Sequence, residues 1–390
     1  MTVRGASIAL LFASVVALLA VSNVCLIGAQ VTETLPAPVP LSRGAAEVPH
    51  FVVDATWPRP MPGNWMVGQV SGVAVDRHDH VWIIHRPRSL TPSEAGAVGT
   101  PPAAECCTPA PPVIEFDRDG NVVRAWGGSN SAYHWPESEH TIYVDQQDNV
   151  WVASNGPADH VVLKFSVDGQ LLLQIGVAGK TGGSNDTTLL GSPAAVEVDP
   201  TTNELYVGDG YVNRRVIVFD AATGAYKRHW GAYGHRPDDR DPGPYDPAAA
   251  PDSQFRTPVH AVRIAHDGLV YVADRTNDRI QVFHRDGRFV REAFIAPATR
   301  GIGSTWDIAF SRDPAQKYLY VADGTNHTVW IVDREHLRVA GAFGRGGRNA
   351  GYFGWVHNLA VDSHGNVFTT EVATYGRVQK FRLQATDGKP

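Results

Sequence analysis

The chain has 390 residues, of which 43% are hydrophobic and 19% are charged, and its formal net charge at pH 7 is −6. This composition is ordinary for a globular protein and includes no basic stripe, so we expect no nucleic-acid partner. The 38 glycines, 27 prolines, 10 tryptophans and 12 tyrosines are typical of many short strands joined by tight turns.

The N-terminal region has the pattern of a targeting segment. Arg4 precedes an apolar run over residues 6–21, and small residues follow it. This predicts a secretory signal over residues 1–29, and an uncleaved membrane anchor is the alternative because the run is near the lower length for spanning. Residues 30–47 are rich in proline and are predicted to form a linker. We therefore expect a secreted or periplasmic protein that has no membrane contact once the signal is cleaved.

One sequence pattern recurs six times in the rest of the chain. When the copies are aligned, one column is occupied by Ser71, His140, Ala194, His260, Trp306 and His357. Each copy continues with three further strand-like runs, which are separated by turn sequences such as Asp119-Gly120. Six four-stranded units predict an all-β fold, a six-bladed β-propeller over residues 48–383, with a C-terminal tail over 384–390. A β-sandwich would not repeat one motif six times.

The segment Phe51–Trp57 lies before the first copy and has the composition of a strand. We expect it to pair with the last blade and to close the ring, since closure removes the exposed edge that an open array would leave.

Histidine occupies every second copy of the aligned column, at positions 140, 260 and 357. In a closed ring the three imidazoles would lie at equal heights, roughly 120° apart, and face the axis. Three neutral imidazoles are a recurring zinc ligand set that leaves one coordination position open. The pattern therefore predicts that His140, His260 and His357 bind zinc, although a single histidine on a strand is more often structural.

The ends of the second strands should lie at the same mouth, because the first two strands of a blade form an antiparallel hairpin. These ends carry Arg86, Tyr211 and Arg275. A guanidinium suits a substrate carboxylate, and a phenol near a metal can act as a general acid or base. The alternatives are that the arginines pair with Asp209 or Asp274 and that the tyrosine is only part of the wall.

The longest insertions lie at 86–112, 178–192 and 233–256 and mark the predicted working face. The first contains the adjacent residues Cys106 and Cys107. Adjacent cysteines can form only a strained disulfide ring. We expect a disulfide that staples the loop. The alternatives are that the pair forms a rim for the pocket or a second soft-metal site.

With this set of residues the chain resembles the catalytic core of peptidyl-α-hydroxyglycine α-amidating lyase, a six-bladed propeller of NHL-type repeats. The resemblance extends from about Val70 to Phe381. It places the family's three zinc histidines, its catalytic tyrosine and its two active-site arginines on His140, His260, His357, Tyr211, Arg86 and Arg275. It implies a zinc-dependent lyase that cleaves the N–C bond of a carbinolamide to give an amide and glyoxylate. The expected partner is a small-molecule or peptide substrate bearing a carboxylate, and we expect a monomer.

The chain also departs from the family in three places. The family holds a structural calcium ion with two backbone carbonyls, which fall on Val73 and Ile142, and with an aspartate, which falls on Asn358. A neutral ligand at that position is expected to weaken or abolish calcium binding. A family cysteine beside the tyrosine is Val212 here, and the insertion with the cysteine pair is not the family's usual loop.

These departures leave the zinc residues intact but leave the substrate open. Two other functions therefore stay open at this point. One is a non-catalytic NHL propeller that binds a peptide or glycan over the same mouth. The other is a different metal-dependent hydrolase or lactonase.

Overall fold

The computed structural model describes residues 48–130, 132–373 and 375–384. The predicted signal over residues 1–29 and the linker over 30–47 lie outside these residues, as do residues 385–390 of the predicted tail. Within the described part the chain forms six four-stranded antiparallel sheets, so the prediction of a six-bladed β-propeller is confirmed. The described helices are four short 3-10 turns, and none of them is long and apolar enough to cross a membrane.

Each blade runs from an inner strand at the axis to an outer strand at the rim. The strands of blade 1 are Gln69–Val75, Val81–Arg86, Val113–Phe116 and Val122–Trp126. Those of blade 2 are Glu139–Val144, Val150–Ser154, Val161–Phe165 and Leu171–Gly176. Those of blade 3 are Ala195–Asp199, Glu204–Asp209, Arg215–Asp220 and Tyr226–Trp230.

The second half of the ring repeats this order. The strands of blade 4 are Val259–Ile264, Val270–Asp274, Arg279–Phe283 and Phe289–Phe294. Those of blade 5 are Asp307–Phe310, Tyr318–Asp323, Thr328–Asp333 and Arg338–Phe343. Those of blade 6 are Val356–Val361, Val367–Glu371, Arg377–Leu383 and, outermost, Phe51–Asp54.

The remaining elements are short. Trp65–Met66 pairs in parallel with Thr108–Pro109 and ties the first insertion to the segment that enters blade 1. The 3-10 turns are Pro62–Asn64, Pro87–Ser89, Ala232–Gly234 and Arg275–Asn277.

The ring is closed by the N-terminal strand, as the sequence predicts. Phe51–Asp54 pairs antiparallel with Arg377–Leu383, and Phe51 lies opposite Leu383. The Phe51 ring also packs against blade 5, with centroids 5.3 Å from Tyr320 and 4.7 Å from Phe343. The predicted strand ends at Asp54 rather than at Trp57. Blade 6 therefore joins the two ends of the propeller.

The cores between the blades contain one aromatic ring from each second strand. The six rings occupy equivalent positions, each is at most 2% exposed, and they are Trp82, Trp151, Tyr206, Tyr271, Tyr320 and Phe368. Burial of an aromatic or large aliphatic side chain contributes about 1.5–3 kcal/mol relative to leaving it in water. This layer makes the ring a rigid frame, on which the inner strands present side chains to the axis.

Candidate metal centre and active site

A β-bulge in the inner strand presents each histidine to the axis. The pairing register shifts between Glu139 and Thr141, and equivalent shifts flank His260 and His357. Each histidine is therefore left without a partner across its hairpin, and a bulge of this kind re-aims the side chain. The three rings meet at the axis with centroids 4.8, 4.8 and 5.0 Å apart, and each residue is 2–3% exposed.

Each imidazole is oriented by a backbone carbonyl of the next blade. His140 Nδ1 lies 2.7 Å from Ala194 O, His260 Nδ1 lies 2.5 Å from Trp306 O, and His357 Nδ1 lies 2.7 Å from Ser71 O. These acceptors are the three non-histidine members of the aligned column. A carbonyl can only accept, so each Nδ1 carries the proton and each Nε2 keeps a free lone pair.

The three histidines are neutral near pH 7. Burial lowers the pKa of His357 to about 3, and it lowers the pKa values of His140 and His260 well below their ordinary value. Nearby positive charge on Arg86 and Arg275 adds to this effect. One ring nitrogen from each histidine can act as a ligand, and these three atoms lie within 4.8 Å of one another. The residues thus form a buried group that can hold a metal ion, and three neutral nitrogen donors fit zinc.

Tyr211 reaches the same point from the turn that follows the second strand of blade 3. Its hydroxyl lies 2.9 Å from His140 Nε2 and 3.2 Å from His260 Nε2. A phenol has one proton and can donate it to only one of these lone pairs. The Nε2 lone pairs at this position therefore outnumber the phenol proton that could satisfy them, which suits a cation.

The turn that carries Tyr211 packs closely against the histidine strand of blade 4. A Cβ atom on Gly210 would lie 2.3 Å from both N and O of Val259, so only glycine fits there. The Tyr211 amide donates to Ser192 O at 3.2 Å, which joins the turn to the insertion at 178–192. The backbone thus fixes the phenol relative to His260.

Arg275 adjoins the phenol and lies in the 3-10 turn directly after the second strand of blade 4. Its guanidinium stacks 4.3 Å from the centroid of Trp306, and its Nη1 donates to the Tyr211 hydroxyl at 3.3 Å. Its Nε is buried and has no hydrogen-bond partner among the described residues. The side chain therefore has donor capacity left for a bound group.

Arg86 ends the second strand of blade 1 and is held by neutral acceptors. Its Nε donates to Glu139 O at 2.8 Å, and its Nη1 and Nη2 donate to Gln69 Oε1 at 2.9 Å and Asn155 Oδ1 at 3.3 Å. The side chain is partly exposed. It is thus fixed in place without a carboxylate in ion-pair contact among the described residues.

The blade carboxylates are engaged by other arginines. Asp209 pairs with Arg215 at 2.9 Å, and Asp274 pairs with Arg279 at 2.8 Å. Within the described ranges no ion pair forms at Arg86 or Arg275. Two guanidinium groups without carboxylate partners at one mouth favour an anionic ligand.

The position of the family's calcium ion is occupied by side-chain hydrogen bonds. Asn358 Oδ1 accepts from the Val73 amide at 2.8 Å, and its Nδ2 donates to Asp307, so both ends of the amide are engaged. The nearest charged partner of Asp307 is a cation, Arg263, at 2.7 Å. Ile142 is buried in the wall. This set does not fit a calcium ion, which prefers several oxygen ligands including free carboxylates.

The cysteine pair lies in the first insertion, where the sulfur atoms of Cys106 and Cys107 are within bonding distance. The carbonyl of Cys107 accepts from the Ala97 amide at 3.2 Å, which holds the loop to itself. A disulfide that staples this loop stays a prediction.

Sequence reasoning did not identify the groups that hold the predicted residues. The carbonyl acceptors have no side-chain signature, but their residues stand in the histidine column, and that column is the signal that could have found them. Trp306 contributes to the site twice, because its carbonyl orients His260 and its ring stacks against Arg275. Gln69 and Asn155, which fix Arg86, carry no repeat signal.

The comparisons with known proteins relate the chain to amidating-lyase and NHL-repeat proteins. No family model matches the chain. It is 29% identical over 262 residues to "Peptidyl-glycine alpha-amidating monooxygenase B" of Xenopus laevis, a match over 62% of this chain and 26% of that protein. The chain thus spans about a quarter of the length of this relative.

Two further relatives match over larger shares of their own length. "NHL repeat-containing protein 3" of Homo sapiens is 31% identical over 237 residues, which are 60% of this chain and 58% of that protein. "Peptidyl-alpha-hydroxyglycine alpha-amidating lyase 2" of Drosophila melanogaster is 26% identical over 361 residues, which are 87% of this chain and 77% of that protein. The resemblance to amidating-lyase and NHL-repeat propellers is confirmed.

Proposed function

From this resemblance to amidating lyases, we propose that the propeller is a secreted, zinc-dependent lyase that cleaves the N–C bond of a carbinolamide, an N–CH(OH)–COO⁻ group. One observation carries the proposal: the Tyr211 hydroxyl lies within hydrogen-bond distance of two inward-facing histidine Nε2 atoms and of Arg275. Secretion is inferred from the sequence of residues 1–29 alone.

His140, His260 and His357 would hold the zinc ion through their Nε2 atoms. When bound there, zinc would polarise a substrate hydroxyl and stabilise negative charge on its oxygen. The carbonyls of Ser71, Ala194 and Trp306 would keep the three imidazoles in the tautomer that this requires.

Tyr211 is the group placed to move protons. In the reaction the substrate hydroxyl loses its proton, the electron pair left on its oxygen forms the C=O double bond of glyoxylate, and the C–N bond breaks with its electron pair on nitrogen. The leaving nitrogen then gains a proton and becomes the amide. As the phenolate, Tyr211 would take the first proton, and as the neutral phenol it would return a proton to nitrogen; the Arg275 hydrogen bond would stabilise the phenolate before and after this transfer.

The arginines would hold the carboxylate. Arg275 has a buried Nε that makes no hydrogen bond to the described residues, and Arg86 is fixed by three neutral acceptors. A guanidinium that is already oriented and is not paired to a protein carboxylate needs little reorganisation to bind a substrate carboxylate.

The experiment is an incubation of zinc-loaded protein with an N-acyl-α-hydroxyglycine, with both products measured. The proposal predicts glyoxylate and the primary amide of the acyl group in equal amounts, well above the buffer rate. No release above buffer with zinc fully loaded contradicts it, and a binding role for peptide or glycan then takes its place. Release of the free acid instead of the amide favours the hydrolase.

A further inference from the structure

The axial cavity of the propeller contains a buried cation of its own. This cavity of about 290 Å³ is lined by the inner strand of every blade, including Val73, Ile142, Glu197, Arg263, Ala309 and Leu359. Arg263 lies three residues after His260 on the inner strand of blade 4. Its side chain is 13% exposed and thus lies largely within the frame.

Arg263 connects blade 4 with its two neighbours. Its Nη2 donates to Asp307 Oδ1 at 2.7 Å and its Nε to Ile308 O at 3.0 Å, both in blade 5. On the other side its Nε lies 3.8 Å from Glu197 Oε2 in blade 3, and Glu197 Oε1 accepts from the Ile264 amide at 2.9 Å. One guanidinium thus links three consecutive blades.

Asp307 extends this link around the ring. Its Oδ2 accepts from the Leu359 amide at 3.0 Å and from the side chain of Asn358, both in blade 6. Asn358 Oδ1 in turn accepts from the Val73 amide in blade 1 at 2.8 Å. The network therefore runs without a break through blades 3, 4, 5, 6 and 1.

The charges in this network balance without a divalent ion. Asp307 and Glu197 have side chains that are 1% and 14% exposed, and a carboxylate so buried is strongly destabilising unless a cation lies beside it. Burial raises the pKa of Glu197 to about 7. Burial also raises the pKa of Asp307, and Arg263 lies within ion-pair distance of both carboxylates, at 2.7 Å from Asp307 and 3.8 Å from Glu197.

Two residues of the network adjoin the metal centre. Asn358 directly follows His357, and Asp307 directly follows Trp306, whose carbonyl orients His260. A displacement of either residue would move a ligand or the acceptor that orients one.

We propose that Arg263 is the built-in cation of the axial channel, in the place of a divalent ion. It holds Asp307, and through Asp307 it holds Asn358, so that these two residues position His260 and His357. The inference rests on the zinc centre of the proposed function but not on its lyase activity, because none of its readouts measures turnover; a wild type that binds no zinc would contradict the proposed function, whereas the calcium and midpoint readouts test Arg263 separately.

The test uses the full chain and compares wild type with Arg263→Met, which keeps the length of the side chain and removes its charge, and with Arg263→Lys, which keeps the charge. The readouts are the unfolding midpoint with and without calcium at about 5 mM, above the Kd range of weak extracellular sites, the bound calcium, the zinc affinity, and the visible spectrum of the cobalt-loaded protein. Only the last two report on ligand placement.

For wild type we expect no retained calcium and the same midpoint in both buffers. For Arg263→Met we expect a midpoint lower by about 5–15 °C, which calcium partly restores because two carboxylates have lost their cation. Its zinc affinity should fall by about 10–100-fold, the usual effect of losing a group that supports a metal ligand. Its cobalt spectrum should change, and Arg263→Lys should recover most of the wild-type spectrum.

Two results overturn the proposal. One is a wild type that retains calcium or gains stability from it. The other is an Arg263→Met protein with the midpoint, zinc affinity and cobalt spectrum of wild type. If Arg263→Met does not fold, the neutral set Arg263→Met/Asp307→Asn/Glu197→Gln decides, since charge balance predicts that it folds and binds zinc, and failure to fold contradicts the role of Arg263 as a counter-charge.

Discussion

At the scale of single residues, the site depends on how few hydrogen-bond donors surround three lone pairs. The Nδ1 protons are committed to carbonyls, so the Nε2 atoms of His140 and His260 are both acceptors. Tyr211 is the neighbour that can donate to them, and it also receives a hydrogen bond from Arg275. Its hydroxyl is therefore the atom on which proton transfer depends.

Replacement of Tyr211 by Phe removes this hydroxyl and nothing else. We expect zinc content and unfolding midpoint to stay at the wild-type level while kcat for glyoxylate release falls by about 10²–10⁴-fold, the usual contribution of a general acid–base group. The matched control is Tyr226→Phe, an exposed tyrosine on the outer strand of blade 3, which should keep full activity. Full activity in Tyr211→Phe would assign the proton transfer to another group.

The histidine column could be predicted from the sequence because equal positions in a repeat lie at equal heights in a ring. The bulges and the carbonyl acceptors could not, since pairing register and backbone contacts have no residue signature. The Arg263 network does have a signal in the sequence repeat. Three residues after the column the copies read Ala74, Tyr143, Glu197, Arg263, Ala309 and Ala360, so a charged pair stands among mainly small residues.

At the scale of secondary-structure elements, an ion pair in blade 3 ties the second strand to the outermost strand. In blade 3 Arg228, on the outer strand, donates to both oxygens of Glu204, on the second strand, at 2.9 and 2.5 Å. Their side chains are 26% and 11% exposed. Hydrogen bonds from Arg228 lower the pKa of Glu204 from 4.5 to about 2.

The sign of the pH dependence follows from this direction. A carboxyl with a lowered pKa in the folded state stabilises the protein above its unfolded pKa and loses this contribution as pH falls through the folded pKa. Glu204→Gln should therefore be less stable than wild type by on the order of 1–3 kcal/mol near pH 7. The difference should shrink from about pH 4.5 downward and vanish near pH 2. Denaturant unfolding of both proteins across this range measures it, and a constant difference contradicts the assignment.

At the scale of the whole molecule, the propeller depends on one short N-terminal strand. Phe51–Asp54 completes blade 6, and Phe51 fills the space between blades 5 and 6. Without this strand the ring would expose the edge of Arg377–Leu383. Closure therefore holds the six blades in one ring. The metal centre depends on this ring because its histidines come from three separate blades.

Phe51→Ala should reveal this dependence. The residue is 8% exposed, and truncation of a buried phenylalanine typically costs about 3–5 kcal/mol. Its neighbour Val52 is 41% exposed, so Val52→Ala is the control and should cost little. Equilibrium unfolding in denaturant compares the two. Equal stability of both variants would mean that closure does not rest on this contact.

We propose that one metal ion held by three alternating blades makes this propeller a lyase. The most direct test restores zinc stepwise to metal-free protein and follows bound zinc and glyoxylate release together. We expect activity to rise in proportion to zinc up to one ion per chain. His260→Ala should neither bind this ion nor release glyoxylate. The control His336→Ala, at an exposed histidine, should match wild type. Activity that is independent of zinc, or equal zinc binding by His260→Ala, would contradict it.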